Sequence, residues 1–353
     1  MFTETRTRSL RGRVLRSPLL DLLTGPHGVD RYTELVTPTW TRGEARARVV
    51  AVRRQTPRSV TLTLEPNHVF TGFEPGQHIN LTVEIDGRRR TRCYSPASAA
   101  GSSLIELTIG RHEGGLVSTY LCDHARSGMV VGLDSVGGDF TLPAVRPRRI
   151  LFVAGGSGIT PVLSMARTLH AEGHRGDAAL IHYTRSAAEA CYRDELAALP
   201  GLRVLHGYTR DTTGTDLHGR FCADHLAEAL PDADAVFVCG PPALVDAVRA
   251  VRPDALAESF IPPTLTGTAS GGRIRFADSD IAVTDDGRPL LDQAESAGLT
   301  PESGCRMGIC HSCTRRKTSG AVKNLITGAV SGVESEDVQI CVSAPLGDVE
   351  IAL

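Results

Sequence analysis

From Glu44 onward the chain alternates apolar and polar residues in short runs. Segments 45–53, 59–65, 78–85, 89–94 and 103–110 each follow the two-residue period of a half-buried strand. Turn pairs such as Asp86-Gly87 separate them. Many short strands at close spacing predict a small antiparallel barrel running to about Pro147. At Arg148 the pattern changes. Residues 150–154 form an unbroken apolar run, as a parallel strand covered on both faces requires. A helix over 162–170 follows. Strands 178–183, 203–206 and 235–239 then alternate with helical stretches 188–198, 223–229 and 243–251, which predicts a doubly wound α/β domain. A third pattern begins near Gly272. Segments 273–276 and 280–284 alternate around Ala277-Asp278-Ser279 as a hairpin. Residues 289–297 read as a short helix, with Pro289 at its start and Gly298 beyond its end. Residues 349–353 form a last strand.

The expected organisation is therefore an arm over 1–43, a β-barrel domain over 44–147, an α/β domain over 148–262, a Thr-, Gly- and Pro-containing linker over 263–271 and a small C-terminal domain over 272–353. Length and composition agree. The 353 residues suffice for two or three domains, and 41% hydrophobic with 22% charged residues is ordinary for globular chains. The net charge of −2 carries no nucleic-acid footprint. It is uneven, however. Residues 272–353 hold 8 basic and 12 acidic side chains, the remainder 30 and 28. An acidic C-terminal domain favours docking onto a basic partner. Arg6, Arg8, Arg11, Arg13 and Arg16 precede Leu19-Leu20-Asp21-Leu22-Leu23. That piece is too interrupted for a signal-peptide core and reads as an arm with one short helix, a membrane-surface helix being the alternative. No run approaches the ~20 apolar residues of a membrane span.

The chemistry concentrates at Cys305, Cys310, Cys313 and Cys341, a C-x4-C-x2-C loop with a distant fourth cysteine. Four thiolates at this spacing suit a plant-type [2Fe-2S] cluster. Gly304 and Gly308 let the backbone come close, having no Cβ. Structural zinc is the main rival, but zinc sites usually show two short Cys/His pairs. A Rieske centre needs two histidines, and only His311 is near. Simple packing of cysteines stands third. Thiolate ligands require a reducing compartment, which points to the cytoplasm. In its cysteines and its order of elements, the stretch 272–353 resembles a plant-type ferredoxin domain. The resemblance implies an α+β (β-grasp) fold with Cys305, Cys310, Cys313 and Cys341 as iron ligands.

Further motifs stand upstream. In Arg92-Cys93-Tyr94-Ser95 a guanidinium, a ring and a hydroxyl lie on one strand, suited to a flavin and its phosphate but equally to an edge strand. Gly114-Gly115-Leu116-Val117-Ser118 opens a helix and offers backbone N–H groups to a pyrophosphate. Gly155-Gly156-Ser157-Gly158-Ile159-Thr160-Pro161 follows the first α/β strand, and Cys239-Gly240-Pro241 follows a later one. The glycine turn is incomplete, because Pro161 replaces the third glycine of a dinucleotide fingerprint. Together, in this order, the motifs resemble the ferredoxin–NADP reductase superfamily over residues 44–262. The resemblance implies that the barrel is a flavin-binding domain and the α/β domain binds NAD(P). It implies that Arg92, Tyr94 and Ser95 hold the flavin, and that Gly115, Leu116, Val117 and Ser118 take its pyrophosphate. It places Thr160 between flavin and nicotinamide. Gly156, Gly158, Gly240 and Pro241 would border the nucleotide, with Cys239 by the hydride-bearing carbon and Glu258 and Phe260 by the flavin. A pyrophosphate loop favours FAD over FMN. No acid follows the second α/β strand at Tyr183-Thr184-Arg185-Ser186, so Arg185 suits the 2′-phosphate of NADPH better than the ribose of NADH, with Tyr192 and Arg193 as candidate helpers.

The expected function is an electron-transfer oxidoreductase, passing electrons from NAD(P)H through FAD to a [2Fe-2S] cluster and on to a redox partner protein. An acyl desaturase, a ring-hydroxylating oxygenase or a cytochrome P450 would each need these parts. The expected state is a monomer that meets a membrane only through a membrane-bound partner. Two other readings remain open at this point: a self-contained flavoenzyme acting on a small molecule, and a zinc-bearing binding module.

Overall fold

The computed structural model describes residues 37–353, apart from residue 212 and residues 261–264. Most of the expected arm 1–43, including Leu19 to Leu23, lies outside the described residues, as does Pro262.

Six strands form the first sheet: β1 (Arg46–Thr56), β2 (Ser59–Pro66), β3 (His78–Ile85), β4 (Arg88–Tyr94), β5 (Ile105–Gly110) and β6 (Val130–Gly137). They pair antiparallel in the order β4-β3-β6-β1-β2-β5. The two ends of that order meet where Pro96 bridges Leu107, which closes a barrel. Ile79, Leu81 and Val83 of β3 point into its core beside Leu62, Leu64 and Leu107. The other face of β3 carries His78, Asn80 and Thr82, which are polar and nevertheless buried. Thr82 bonds to Thr91 and Asp134, and Asn80 to Ser135, within the barrel, and their burial requires a cover over that face. Helix α1 (Leu116–His124) packs Val117 and Leu121 into the same core.

The second sheet is parallel: β7 (Arg149–Gly155), β8 (Asp177–Thr184), β9 (Leu202–Tyr208), β10 (Leu217–His218), β11 (Ala235–Cys239) and β12 (Leu256–Glu258), in the order β10-β9-β8-β7-β11-β12. Helices α2 (Ile159–Ala171) and α3 (Arg193–Ala198) cover one face, α4 (Ala223–Ala229) and α5 (Pro242–Val251) the other. The central strand β7 is thus wrapped on both sides, which explains its unbroken apolar run. The core under α2 also takes in Ala97, Phe140 and Leu142 from the barrel side, so the first two domains share one core.

One predicted helix is cut short. Residues 188–198 give only a 3-10 turn at Ala187–Glu189 and then α3. Between them Tyr192 adopts a left-handed backbone, φ 61°. Tertiary contacts override helix propensity here. The Cys191 Sγ lies 3.4 Å from Ser59 Oγ, and the Tyr192 hydroxyl bonds to Thr61 and Thr108 of the barrel. Arg53 and Arg167 sit over the Tyr192 ring. Tyr192 is therefore a clamp between domains.

The third sheet joins β13 (Arg273–Phe276), β14 (Ile281–Thr284), β15 (Thr314–Asn324), β16 (Val330–Ser331), β17 (Glu336–Gln339) and β18 (Ser343–Ile351). Its path is β14-β13-β18-β15-β16, with β17 on β15. Strands β13 and β18 run parallel, and the other neighbours antiparallel. Helix α6 (Leu290–Ser296) buries Leu290, Leu291 and Ala294 against it, giving the β-grasp fold of the ferredoxin domain. Residues expected as linker are already tied to this domain. Leu265 packs on its core, the Gly267 N–H donates to the Gly287 carbonyl at 2.7 Å, and the Ser270 N–H donates to Asp285 Oδ2 at 2.6 Å. No helix among the described residues is long and apolar enough to cross a membrane.

The clamp at Tyr192 can be weighed. Replacing Tyr192 by Phe should cost about 1–2 kcal/mol, the net worth of its hydroxyl's bonds to Thr61 and Thr108. Replacing it by Ala should cost about 3 kcal/mol or more, since the buried ring is lost as well. Chemical-denaturant midpoints of the full chain check both values.

Candidate functional site

Three glycine-rich loops and one strand bring the chemistry-bearing residues together. The loop between α6 and β15 carries Cys305, Cys310 and Cys313, and Cys341 comes in from the turn between β17 and β18. All four are buried. Cys305 lies in contact with Cys310, and Cys313 with Cys341. A side-chain hydrogen bond within each pair holds the Cys310 and Cys313 thiols down and pushes those of Cys305 and Cys341 up. The loop reaches this shape through left-handed residues at Arg306, Gly308 and His311. The backbone N–H of Cys305 points at Cys310 Sγ (3.1 Å) and that of Met307 at Cys305 Sγ (3.3 Å). A Cβ on Gly304 would stand 2.5 Å from Cys310 Sγ. Arg306 reaches back to Glu295 on α6 at 2.9 Å and pins the loop. Four sulfurs in two pairs, with backbone donors aimed at them, fit a [2Fe-2S] cluster.

The flavin motif lies at the end of β4. The Ser95 Oγ is buried and has no hydrogen-bond partner among the described residues, so it is available to a ligand's polar atom. Tyr94 packs its ring against the barrel core, and burial pushes its hydroxyl pKa up. Arg92 extends a guanidinium that donates to the Ser303 carbonyl of the cluster loop at 3.2 Å. Gly115 caps α1 without any side-chain bond, which leaves the first-turn N–H groups open to an anion. Val117 points into the core and Leu116 outward, so these two offer only backbone to a phosphate. Ser118 Oγ accepts from the His112 N–H at 3.1 Å and braces the turn. An unpartnered hydroxyl beside a ring, and an uncapped helix start, suit an FAD.

At the nucleotide loops, β7 and β11 end side by side, where the sheet order reverses and open α/β sheets bind ligands. Gly155 and Gly240 touch backbone to backbone, and a Cβ on Gly158 would stand 2.0 Å from the Cys239 carbonyl oxygen. Open space lies over Gly156. Cys239 is fully buried, and burial pushes its thiol up. Pro241 caps α5. Thr160 sits at the start of α2, its hydroxyl donating to the Ser157 carbonyl at 3.1 Å. Cys239 pairs with Glu258 across β11 and β12. Burial pushes the Glu258 carboxyl up to about 7, and its Oε2 lacks a partner among the described residues. Phe260 packs on the core shared with the barrel. Arg185 is exposed just beyond β8, 3.8 Å from Glu189.

What the motifs did not reveal is the contact between the flavin strand and the cluster loop. The polar outer face of β3 and β4 is covered by residues 303–311. Asn80 donates to the Cys310 carbonyl at 3.4 Å. The sulfurs of Cys93, Cys305 and Cys310 lie within 4.8 Å of one another. Beside this contact a cleft of about 580 Å³ opens between all three domains, lined by His78, Phe140, Arg249, Glu258, Ile309 and His311 among others. The one advance signal was the run His78-Ile79-Asn80-Leu81-Thr82 on a strand, whose polar set needed a cover.

Comparison with known proteins agrees with this geometry. The family model described as the oxidoreductase FAD-binding domain matches residues 51–141. The oxidoreductase NAD-binding domain matches 152–250, and the 2Fe-2S iron-sulfur cluster binding domain matches 276–346. An NADPH oxidoreductase of Mycobacterium tuberculosis is 35% identical over 92% of this chain and 89% of its own length. A glycine betaine monooxygenase reductase subunit of Pseudomonas aeruginosa is 28% identical over 90% of this chain and 97% of its own. The solved structure of phthalate dioxygenase reductase, described as modular for electron transfer from pyridine nucleotides to [2Fe-2S], superposes with a TM-score of 0.58 at 25% identity, covering 87% of this chain and 97% of that one.

Two outcomes follow from the site. Gly304→Ala should cut iron and acid-labile sulfide per flavin by more than half, because the new methyl meets a ligand sulfur, while flavin content holds; elemental and cofactor analysis reads both. The folded protein binds the Glu258 proton more tightly than the unfolded chain does. That stabilisation is complete below the ordinary value of 4.5 and is lost as pH rises through about 7. Wild type should therefore lose stability relative to Glu258→Gln across that window, measured by denaturant melts at a series of pH values.

Proposed function

Because this chain belongs to the family of FAD- and NAD(P)H-dependent oxidoreductases that carry a 2Fe-2S domain, we propose that it is a monomeric, NADPH-preferring reductase serving an oxygen-activating metalloprotein of the acyl desaturase, ring-hydroxylating oxygenase or cytochrome P450 class. Its reaction is electron transfer from NAD(P)H through FAD to the [2Fe-2S] cluster and on to a partner oxygenase, the FAD converting a two-electron hydride into single electrons. The observation that carries the reading is the direct packing of the cluster loop on the strand that bears the flavin motif.

The residues take their roles from where they stand. Ser95 Oγ gives the flavin ring a hydrogen bond, Tyr94 gives it a face, and Arg92 ties the flavin edge to the ferredoxin loop. The N–H groups from Gly115 to Ser118 meet the pyrophosphate. Gly156, Gly158, Gly240 and Pro241 leave room for the nicotinamide, with Thr160 and Cys239 as its walls. Glu258, protonated for part of the time near neutrality, holds a proton beside that wall. Phe260 closes the flavin side. Cys305, Cys310, Cys313 and Cys341 bind the iron. The cover over the cluster keeps water from the sulfurs on the flavin side.

Preference for NADPH rests on Arg185 and on the lack of an acid at 184–186. The name of the relative from Mycobacterium tuberculosis points the same way. The acidic balance of residues 272–353 suits a partner with a basic docking face. No substrate pocket is inserted in the barrel among the described residues, which speaks against a self-contained flavoenzyme.

An anaerobic stopped-flow experiment tests this reading. NADPH should bleach the flavin bands faster than NADH does, and the iron–sulfur absorbance should bleach after them. Arg185→Ala should raise the KM for NADPH about tenfold, the order expected for a charged phosphate contact, and leave that for NADH unchanged. Faster reduction by NADH in wild type would refute the nucleotide preference, and flavin bleaching with no iron–sulfur band at all would refute the electron path.

A further inference from the structure

Cys93 is a fifth sulfur at the cluster site, and it comes from a different domain. Its Sγ and those of Cys305 and Cys310 lie within 4.8 Å of one another. On β4 it stands between Arg92 and Tyr94, and alternation along a strand turns it away from them. Tyr94 faces the barrel core and the flavin motif, while Cys93 faces the ferredoxin loop. The two cofactor sites are thus separated by the thickness of one strand.

Cys93 is held in place by Asn80, its register partner on β3. The Cys93 S–H donates to Asn80 Oδ1 at 2.8 Å. The Asn80 amide donates in turn to Ser135 Oγ at 2.6 Å and to the Cys310 carbonyl at 3.4 Å. Asn80 is 3% exposed, so these bonds replace water that it has given up. A cysteine serving only as a small apolar filler would need neither the amide nor the ligand sulfurs as neighbours.

We propose that Asn80 and Cys93 are positioning residues that couple the flavin site to the cluster, an inference that rests on the reductase reading above. They act in two ways. The amide fixes the backbone of Cys310, and with it the distance between one iron ligand and the flavin strand. The thiol turns its one hydrogen to Asn80 and so presents the lone pairs of its sulfur to the sulfurs of Cys305 and Cys310. Donors aimed at ligand sulfurs raise the reduction potential of an iron–sulfur centre, and lone pairs turned toward them lower it. One electron at a time crosses from the flavin to the cluster, and no bond is made or broken at Cys93.

The experiment uses the full-length holoenzyme and the variants Cys93→Ala, Cys93→Ser and Asn80→Ser. Each is titrated anaerobically with detection of the reduced cluster by electron paramagnetic resonance, and flavin and cluster reduction by NADPH are timed separately. Cys93→Ala should raise the cluster's one-electron equilibrium constant about tenfold, equivalent to about 59 mV. It should speed cluster reduction, the acceptor potential having risen, and leave flavin reduction within about twofold of wild type, since the hydride step lies on the other face of β4. Cys93→Ser, which keeps a donor, should retain most of the potential. Asn80→Ser leaves the thiol in place but unheld, and should slow cluster reduction. Unchanged potential and unchanged cluster reduction in both Cys93→Ala and Asn80→Ser would overturn the proposal. So would loss of the cluster from Cys93→Ser and Asn80→Ser alike with flavin retained, which would assign the pair to cluster assembly instead. A wild-type protein whose flavin is reduced while no cluster signal exists would sink the reductase reading itself, and is distinguishable from either.

Discussion

The structure turns on one contact, the seating of the cluster loop on the outer face of β3 and β4. A barrel in water would keep that face polar and wet. Here His78, Asn80 and Thr82 are buried; Thr82 finds Thr91 and Asp134 and Asn80 finds Ser135 within the barrel, while the ferredoxin loop covers the face and adds the Cys310 carbonyl to Asn80. Three left-handed residues shape the loop, and Arg306 pins it to α6. The barrel gains a cover and the loop gains a wall.

The remaining architecture supports that seating. Barrel and α/β domain share a core under α2, and several polar bonds tie them. Arg167 bridges Glu106 of the barrel at 2.6 Å, and Ser164 donates to the Ser98 carbonyl at 2.8 Å. With Tyr192 they fix the nucleotide loops relative to β4. Glycine serves a different purpose at each end. At Gly158 and Gly240 it lets backbones touch, and at Gly304 it makes room for a sulfur. A side chain at any of the three would push apart groups whose spacing the chemistry uses.

Much of this was legible in the chain. The strand periods predicted five of the six barrel strands, and the unbroken apolar run at 150–154 announced a strand wrapped on both faces. The cysteine spacing needed no fold to be read, because thiolate chemistry at that spacing has few uses. Strand β6 escaped because Gly132, Asp134 and Ser135 break its alternation. Strand β15 escaped because Arg315, Arg316 and Lys317 hide its apolar positions, and Lys317 is itself buried, donating to the Gly320 carbonyl at 2.9 Å. Tyr192 read as part of a helix near the nucleotide, and only its contacts in the barrel reveal its purpose. Cys93 was visible as a letter within the flavin motif, but its neighbours lie over 200 residues away, and no local pattern encodes that distance.

The polar face of β3 and β4 has a consequence for recombination. Chains of this kind look like modules joined in series, which invites exchange of one ferredoxin unit for another at residues 261–264. A transplanted unit would bring its own ligand cysteines and fold on its own core. It would not bring a loop shaped to set its carbonyls where those of Ser303 and Cys310 accept from Arg92 and Asn80. A chimaera would then be complete in its cofactors yet strand buried polar groups at the junction, so inheritance of this ferredoxin unit is bound to inheritance of two adjacent strands in the barrel.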